Sequence, residues 1–399
     1  MPVPSISERG RTTPESSIRK LESHAEEAQS RGIKVYRLNI GQPDIPTPLE
    51  FVDAVSRFKE NVLAYSRSNG VVSLIQSMKQ YYHRNGLSHI ETKDIMITTG
   101  GSEGIFFTIV AITSPGDEII IFEPFYPNYR SFACMAGAQL IPVSTSPDTG
   151  YHLPDQKIIE EKITPKTKAI IVNSPNNPTG MILTRNEIEM LQDIALRYGL
   201  FLISDEVYRE FAFDEAHISL FSYPKFSQHT IMVDSVSKRY SLCGARIGCI
   251  VSKNSEVIST VLKFGQARLS SPTLEQIAVA AVINSGDRYF HDIVQEYKER
   301  RNTLVEGLNK IPGVTCKKPE GAFYLMVTLP VDHIEKFCRW LLTDFEEESA
   351  TVMIAPGPGF YLTPGKGLQE ARIAYVLNVE DLKKSIQILK KAVLSYNKS

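Results

Sequence analysis

The sequence predicts an α/β protein. Its large domain carries a mostly parallel seven-stranded sheet flanked by helices, and a smaller α+β domain lies beside it. Two observations carry that prediction. Between residues 94 and 251, short apolar runs alternate with stretches of helical periodicity. Continuous apolar strands separated by helices describe a sheet buried on both faces. Beyond residue 286 the pattern changes to one long charged helix followed by short, spaced strands. At about 150 residues per domain, 399 residues suit two large units or two to three ordinary ones.

The elements follow in order. Asp94–Thr98 reads as a strand, followed by a Gly-rich turn and a helix from about Glu103. Strands are then expected at 118–122, 139–143, 169–173, 200–204, 231–233 and 247–251. Between Thr184 and Tyr198, apolar residues at Ile188, Leu191, Ile194 and Ala195 have the spacing of an amphipathic helix. A long helix is expected over 287–310, linking two domains, with further strands at 315–329, 351–354 and 372–376. The division that results is an N-terminal segment (1–50) joining the small domain, a large domain (51–285) and a small C-terminal domain (286–399).

Composition excludes several functions. Forty-four Lys and Arg against 45 Asp and Glu leave a formal net charge of −1. A nucleic-acid or membrane-surface binder needs a basic excess, and no such block exists. No apolar run approaches the ~20 residues of a membrane span. Acidic residues Glu8 and Glu15 and the lack of an apolar run argue against a signal peptide, so a cytoplasmic protein is expected. The five cysteines form no C-x-x-C pair, and the eight histidines no H-E-x-x-H, so no metal site is expected. Gly100-Gly-Ser-Glu-Gly104 is not a dinucleotide fingerprint, and Gly365-Lys366 lacks the remainder of a phosphate loop.

In parallel sheets, ligands sit beyond the carboxyl ends of the strands. There the sequence collects Asn173-Ser-Pro-Asn-Asn-Pro-Thr-Gly180, Ser204-Asp-Glu-Val-Tyr208 and Ser235-Val-Ser-Lys238, with Arg246 eight residues further on. One Lys, Asp, Tyr, Asn and Arg would meet at one sheet edge. That inventory suits an aromatic, phosphorylated aldehyde. Lys238 would form an imine, and Asp205 would keep a ring nitrogen protonated. Tyr208 and Asn177 would bond a phenolic oxygen, while Arg246 and the serine hydroxyls held the phosphate.

These motifs, in this order, resemble those of the class I/II aminotransferases, which are pyridoxal-phosphate enzymes of fold type I. Asn39-Ile-Gly41-Gln-Pro-Asp, Glu123-Pro-Phe-Tyr126-Pro-Asn-Tyr, Glu320-Gly-Ala-Phe-Tyr324 and Ala371-Arg372-Ile extend the likeness over nearly the whole chain. The resemblance implies that Lys238 is the Schiff-base lysine and the proton-transfer base, that Asp205 pairs with the pyridine nitrogen, and that Tyr208 and Asn177 bond the ring oxygen. It implies phosphate binding by Arg246, Ser235, Ser237 and the Gly101-Ser102 turn, where a helix N-terminus favours a dianion. Tyr126 would stack on the cofactor. Tyr65, and by a looser match Ser270, would reach the neighbouring subunit's site, implying a homodimer with shared active sites. Arg372 would clamp the substrate α-carboxylate, and Asn39 and Gly41 would belong to a segment closing over substrate.

The pattern departs where side chains are recognised. Gln266 and Ser102 stand where the family's aspartate enzymes place a cation. Arg268 is open to two readings, as a substitute cation or as a structural arginine at an interface. Tyr361, Phe360 and Phe323 are open to two as well, as pocket lining or as core. The expected reaction is ping-pong transfer of the amino group of an L-amino acid (aspartate, aromatic or other neutral) to a 2-oxo acid such as 2-oxoglutarate. A carbon–sulfur lyase on the same fold is the alternative. A DNA-binding regulator on this fold would need an attached basic helix-turn-helix, and the residues before Gly41 contain none.

Overall fold

The computed structural model describes residues 3–286 and 288–396. Its strands are β1 (Lys34–Arg37), β2 (Ile95–Thr98), β3 (Glu118–Glu123), β4 (Gln139–Ser144), β5 (Thr167–Asn173), β6 (Phe201–Asp205), β7 (Thr230–Ser235), β8 (Gly248–Ser252), β9 (Thr315–Cys316), β10 (Tyr324–Thr328), β11 (Ala350–Met353), β12 (Ala355–Pro356) and β13 (Glu370–Ala374). Strands β2 to β8 form one seven-stranded sheet in the order β2-β8-β7-β6-β5-β3-β4. β8 runs antiparallel to both its neighbours, and the remaining pairings are parallel. Residues Ile119–Ile121, Ile170, Ile171, Leu202, Ile203 and Ile231–Val233 are almost fully buried, as a sheet covered on both faces requires.

The helix Gly100–Ile112 begins in the turn after β2, earlier than the expected Glu103. The helix Arg185–Tyr198 starts with a capping box, in which Thr184 Oγ1 accepts from the Glu187 N–H and the Glu187 carboxylate accepts from the Thr184 N–H. It ends at Gly199 in the left-handed conformation.

A second layer is built around β10. β13, β10 and β9 pair antiparallel, with β12 on the far side of β13. β1 pairs in parallel with β11, which ties the N-terminal residues to the C-terminal part of the chain. One apolar core joins Leu21–Leu38 with residues of the helix Arg288–Leu308, of β10, β11 and β13, and of the helix Val379–Tyr396.

The single strand expected over 315–329 is two. Pro319 and Gly321 interrupt the run, and Glu320–Ala322 turns back to the chain after β6, where the Phe213 N–H donates to Glu320 O and the Ala322 N–H to Phe211 O. No helix among the described residues is long and apolar enough to cross a membrane.

Candidate active site

The carboxyl ends of β5, β6 and β7 open into a cavity of about 650 Å³. β7 ends at Ser235, which caps the short helix Val236–Arg239 by accepting from the Ser237 N–H at 3.1 Å. The Ser235 hydroxyl donates to Ile247 O at 3.0 Å and lies 2.8 Å from Ser237 Oγ. This helix turns Lys238 into the cavity, where Nζ donates to Gly41 O at 2.8 Å and lies 3.6 Å from Cys243 Sγ. Arg246 has a left-handed backbone (φ 54°), and its guanidinium donates to Cys243 O at 2.9 Å. Across from it the helix Gly100–Ile112 presents Gly101 and Ser102 in its first turn. A side chain at Gly100 would overlap that guanidinium.

Asp205 ends β6 and is buried in the cavity wall. Its Oδ2 accepts from Tyr129 Oη at 2.5 Å and its Oδ1 from the Val207 N–H at 3.3 Å. Burial pushes its pKa up to about 6, because the Tyr129 bond offsets only part of the desolvation. Asn173, ending β5, donates to Asp205 O at 2.9 Å and accepts from the Asn177 N–H at 2.7 Å. Tyr208 Oη lies 2.9 Å from Tyr324 Oη, and burial holds the Tyr208 phenol well above its usual pKa. Tyr126 packs edge-on against Tyr129, with its oxygen accepting from Asn128 Nδ2 at 2.7 Å. Burial raises its pKa to about 12.

Arg372, on β13, is almost fully buried. Nη1 donates to Asn177 Oδ1 at 2.9 Å, Nη2 donates to Asn39 O, and Nε is buried without a partner. The rings of Tyr324 and Phe360 lie 4.5 and 5.1 Å from the guanidinium carbon. A buried cation with only neutral partners is strained electrostatically until an anion joins it. Asp205 is its counterpart, a buried anion with no cation bonded to it.

Lys238, Asp205, Tyr208, Gly101, Ser102, Tyr126, Asn177, Ser235, Ser237, Arg246, Gly41 and Arg372 all line this one cavity. Tyr65 and Ser270 do not: Tyr65 is 79% exposed and lies outside it. Arg268 is not a free cation. It is bound by Glu103 at 2.7 Å, Ser271 Oγ at 2.7 Å, Thr99 Oγ1 at 3.1 Å and Ser68 O at 3.1 Å, away from this cavity. Glu103, in the first turn of its helix, supplies the counter-charge that fixes it there. Phe360, Tyr361 and Phe323 are core residues. The Asn177 amide oxygen is held by Arg372, which leaves the amide nitrogen to donate, as bonding a phenolic oxygen would require. Among the lining residues that carried no site expectation are Tyr129, Tyr324, Cys243 and Arg19. Tyr129 and Tyr324 lie inside motifs already noted, so position alone pointed to them.

A family model described as aminotransferase class I and II matches residues 33–389. An aspartate aminotransferase of Pyrococcus horikoshii is 31% identical over 397 residues, covering 97% of either chain. One of Musicola paradisiaca is 30% identical over 383 residues, covering 93% of this chain and 92% of the relative. Among solved structures, a single mutant of Thermus thermophilus aspartate aminotransferase superposes with a TM-score of 0.90 at 27% identity, covering 98% of this chain and all of that one. Matched across nearly its whole length in sequence and in fold, the chain belongs to the class I and II aminotransferases.

Proposed function

We propose that this aminotransferase holds pyridoxal phosphate in the cavity, bound covalently through Lys238, and moves the amino group of an L-amino acid to 2-oxoglutarate in a ping-pong cycle. The single observation that carries this reading is the meeting in one cavity of Lys238 Nζ, a buried carboxylate bonded to no cation (Asp205) and a buried guanidinium bonded to no anion (Arg372). The donor set fits the cofactor. Asp205 lacks a cation, and a protonated ring nitrogen is one. The helix N-terminus at Gly101-Ser102, Arg246 and the Ser235 and Ser237 hydroxyls form a cradle for a dianion. When bound, pyridoxal phosphate takes up the amino group and the electron pair released from the substrate α-carbon.

The chain's own groups do the rest. Arg372 binds the α-carboxylate, presenting Nη1, Nη2 and the unpartnered Nε, and so fixes the α-carbon–hydrogen bond toward Lys238. Lys238 Nζ carries the proton between the α-carbon and the cofactor. Tyr126 covers the ring, and Tyr208 and Asn177 donate to the ring oxygen. Gly41 brings the N-terminal segment over the site, where its carbonyl already accepts from Lys238.

The reading includes a homodimer in which Tyr65 and Ser270 serve the partner's site, supported by the exposure of Tyr65. It also divides the chain at about residues 50 and 285, supported by the β1–β11 pairing. The relatives named above are transaminases, and no observation favours the lyase.

Titrating the yellow holoenzyme with single L-amino acids, without any 2-oxo acid, tests the reaction. The band is expected to bleach, with one 2-oxo acid released per site and no ammonia. Continuous release of ammonia and 2-oxo acid would replace transfer with elimination.

A further inference from the structure

We infer that Arg19 receives the distal carboxylate of dicarboxylic substrates, an inference that rests on the aminotransfer reading above. A 2-oxoglutarate acceptor carries two carboxylates. Once Arg372 holds one, the other enters the same cavity and needs a second cation, since a carboxylate taken from water without one is strongly disfavoured.

Four basic side chains line the cavity: Lys238, Arg246, Arg372 and Arg19. Lys238 bonds Gly41 O, and Arg246 bonds Cys243 O beside the helix N-terminus. Arg372 bonds Asn177 and Asn39. Arg19 alone among them has no side-chain hydrogen bond or ion pair among the described residues. Asp205 is the only acidic residue in the cavity lining, and Tyr129 and the Val207 N–H already bond it. Nothing on the wall neutralises Arg19, whose charge is felt at the Tyr126 phenol.

The backbone fixes where this cation stands. The Arg19 N–H donates to Ser16 O at 3.1 Å, and Arg19 O accepts from the Glu22 N–H at 3.0 Å, so the residue sits in a tight turn. Next to it, Ile18 O accepts from Asn39 Nδ2 at 3.2 Å, while Asn39 O accepts from Arg372. Asn39 thereby couples the turn bearing Arg19 to the arginine that takes the α-carboxylate. Two guanidiniums positioned through one asparagine suit a ligand with a carboxylate at either end. The other candidates are absent, because Arg268 is bound by Glu103 and positions 266 and 102 are Gln and Ser.

The test compares wild type, Arg19→Gln and Arg19→Lys. One readout is the ratio of half-reaction kcat/KM for aspartate to that for alanine. The other is the Kd of maleate, an unreactive dicarboxylate, measured by calorimetry on the holoenzyme. Arg19→Gln is expected to lower the ratio roughly 3- to 5-fold and to raise the maleate Kd by a similar factor, with Arg19→Lys intermediate. Because Arg19 is exposed, the wild-type ratio should also fall as salt is added. An unchanged ratio and Kd in Arg19→Gln overturns the inference, and so does a wild type that bleaches with alanine but not with aspartate. If no amino acid bleaches the wild type, the aminotransfer reading itself fails.

Discussion

At the scale of the residue, the site is a set of unbalanced charges held in place by neutral groups. Arg372 can meet a carboxylate with two parallel donors, which a lysine cannot reproduce. Arg372→Lys is therefore expected to lower kcat/KM for every amino donor on the order of 10²-fold. Steady-state kinetics with donors of different side chains check this, and a loss confined to one donor would show that Arg372 reads the side chain instead. Asp205 makes a prediction about stability. Its folded-state pKa, about 6, lies above the ordinary aspartate value of ~3.9, so the cofactor-free protein binds this proton more tightly folded than unfolded. The stability it contributes is present below about pH 4 and is lost as pH rises to about 6. Asp205→Asn removes the charge, so its Tm minus that of wild type, both without cofactor, is expected to increase from pH 4 to pH 6. Calorimetric scans across that range check the sign.

At the scale of the element, strand ends and helix starts aim the chemistry. The turn between β2 and the helix Gly100–Ile112 has φ +78° at Gly100, with the Arg246 guanidinium packed where a side chain would stand. Gly100→Ala is expected to raise the cofactor dissociation constant at least about tenfold, with secondary structure retained by circular dichroism. The Thr184 cap is a useful contrast, being on a helix that does not line the cavity. Thr184→Ala is expected to cost about 1 kcal/mol of stability in denaturant melts and to leave the half-reaction rate unaltered. The β-strands of the large sheet were legible because each is a continuous apolar run with polar residues at its end. The break between β9 and β10 was harder to read, since its apolar residues continue through Ala322 and Phe323 while Gly321 turns the chain. Asp205, Lys238 and Arg246 were legible as strand-end residues of fixed spacing. Arg19 was not, because its place depends on a distant segment folding over the sheet.

At the scale of the whole molecule, the cavity is assembled from both ends of the chain, with Arg19 and Gly41 from one and Arg372 from the other. The pairing of β1 with β11 and the shared core hold those ends together. Leu49, Val62, Leu63 and Tyr65 are more than half exposed, a surface suited to a second copy. Co-expressing Lys238→Ala chains with Tyr65→Ala chains is expected to give mixed dimers with one intact site, recovering up to about a quarter of wild-type activity if mixing is random. Activity no greater than the sum of the two separate variants would count against shared sites. The central claim is that Lys238 holds the cofactor, and reduction of the holoenzyme with borohydride followed by peptide mass mapping tests it most directly. The reduced cofactor's mass is expected on the peptide containing Lys238, and on no other lysine. A label on a different lysine, or none after reconstitution with pyridoxal phosphate, would contradict it.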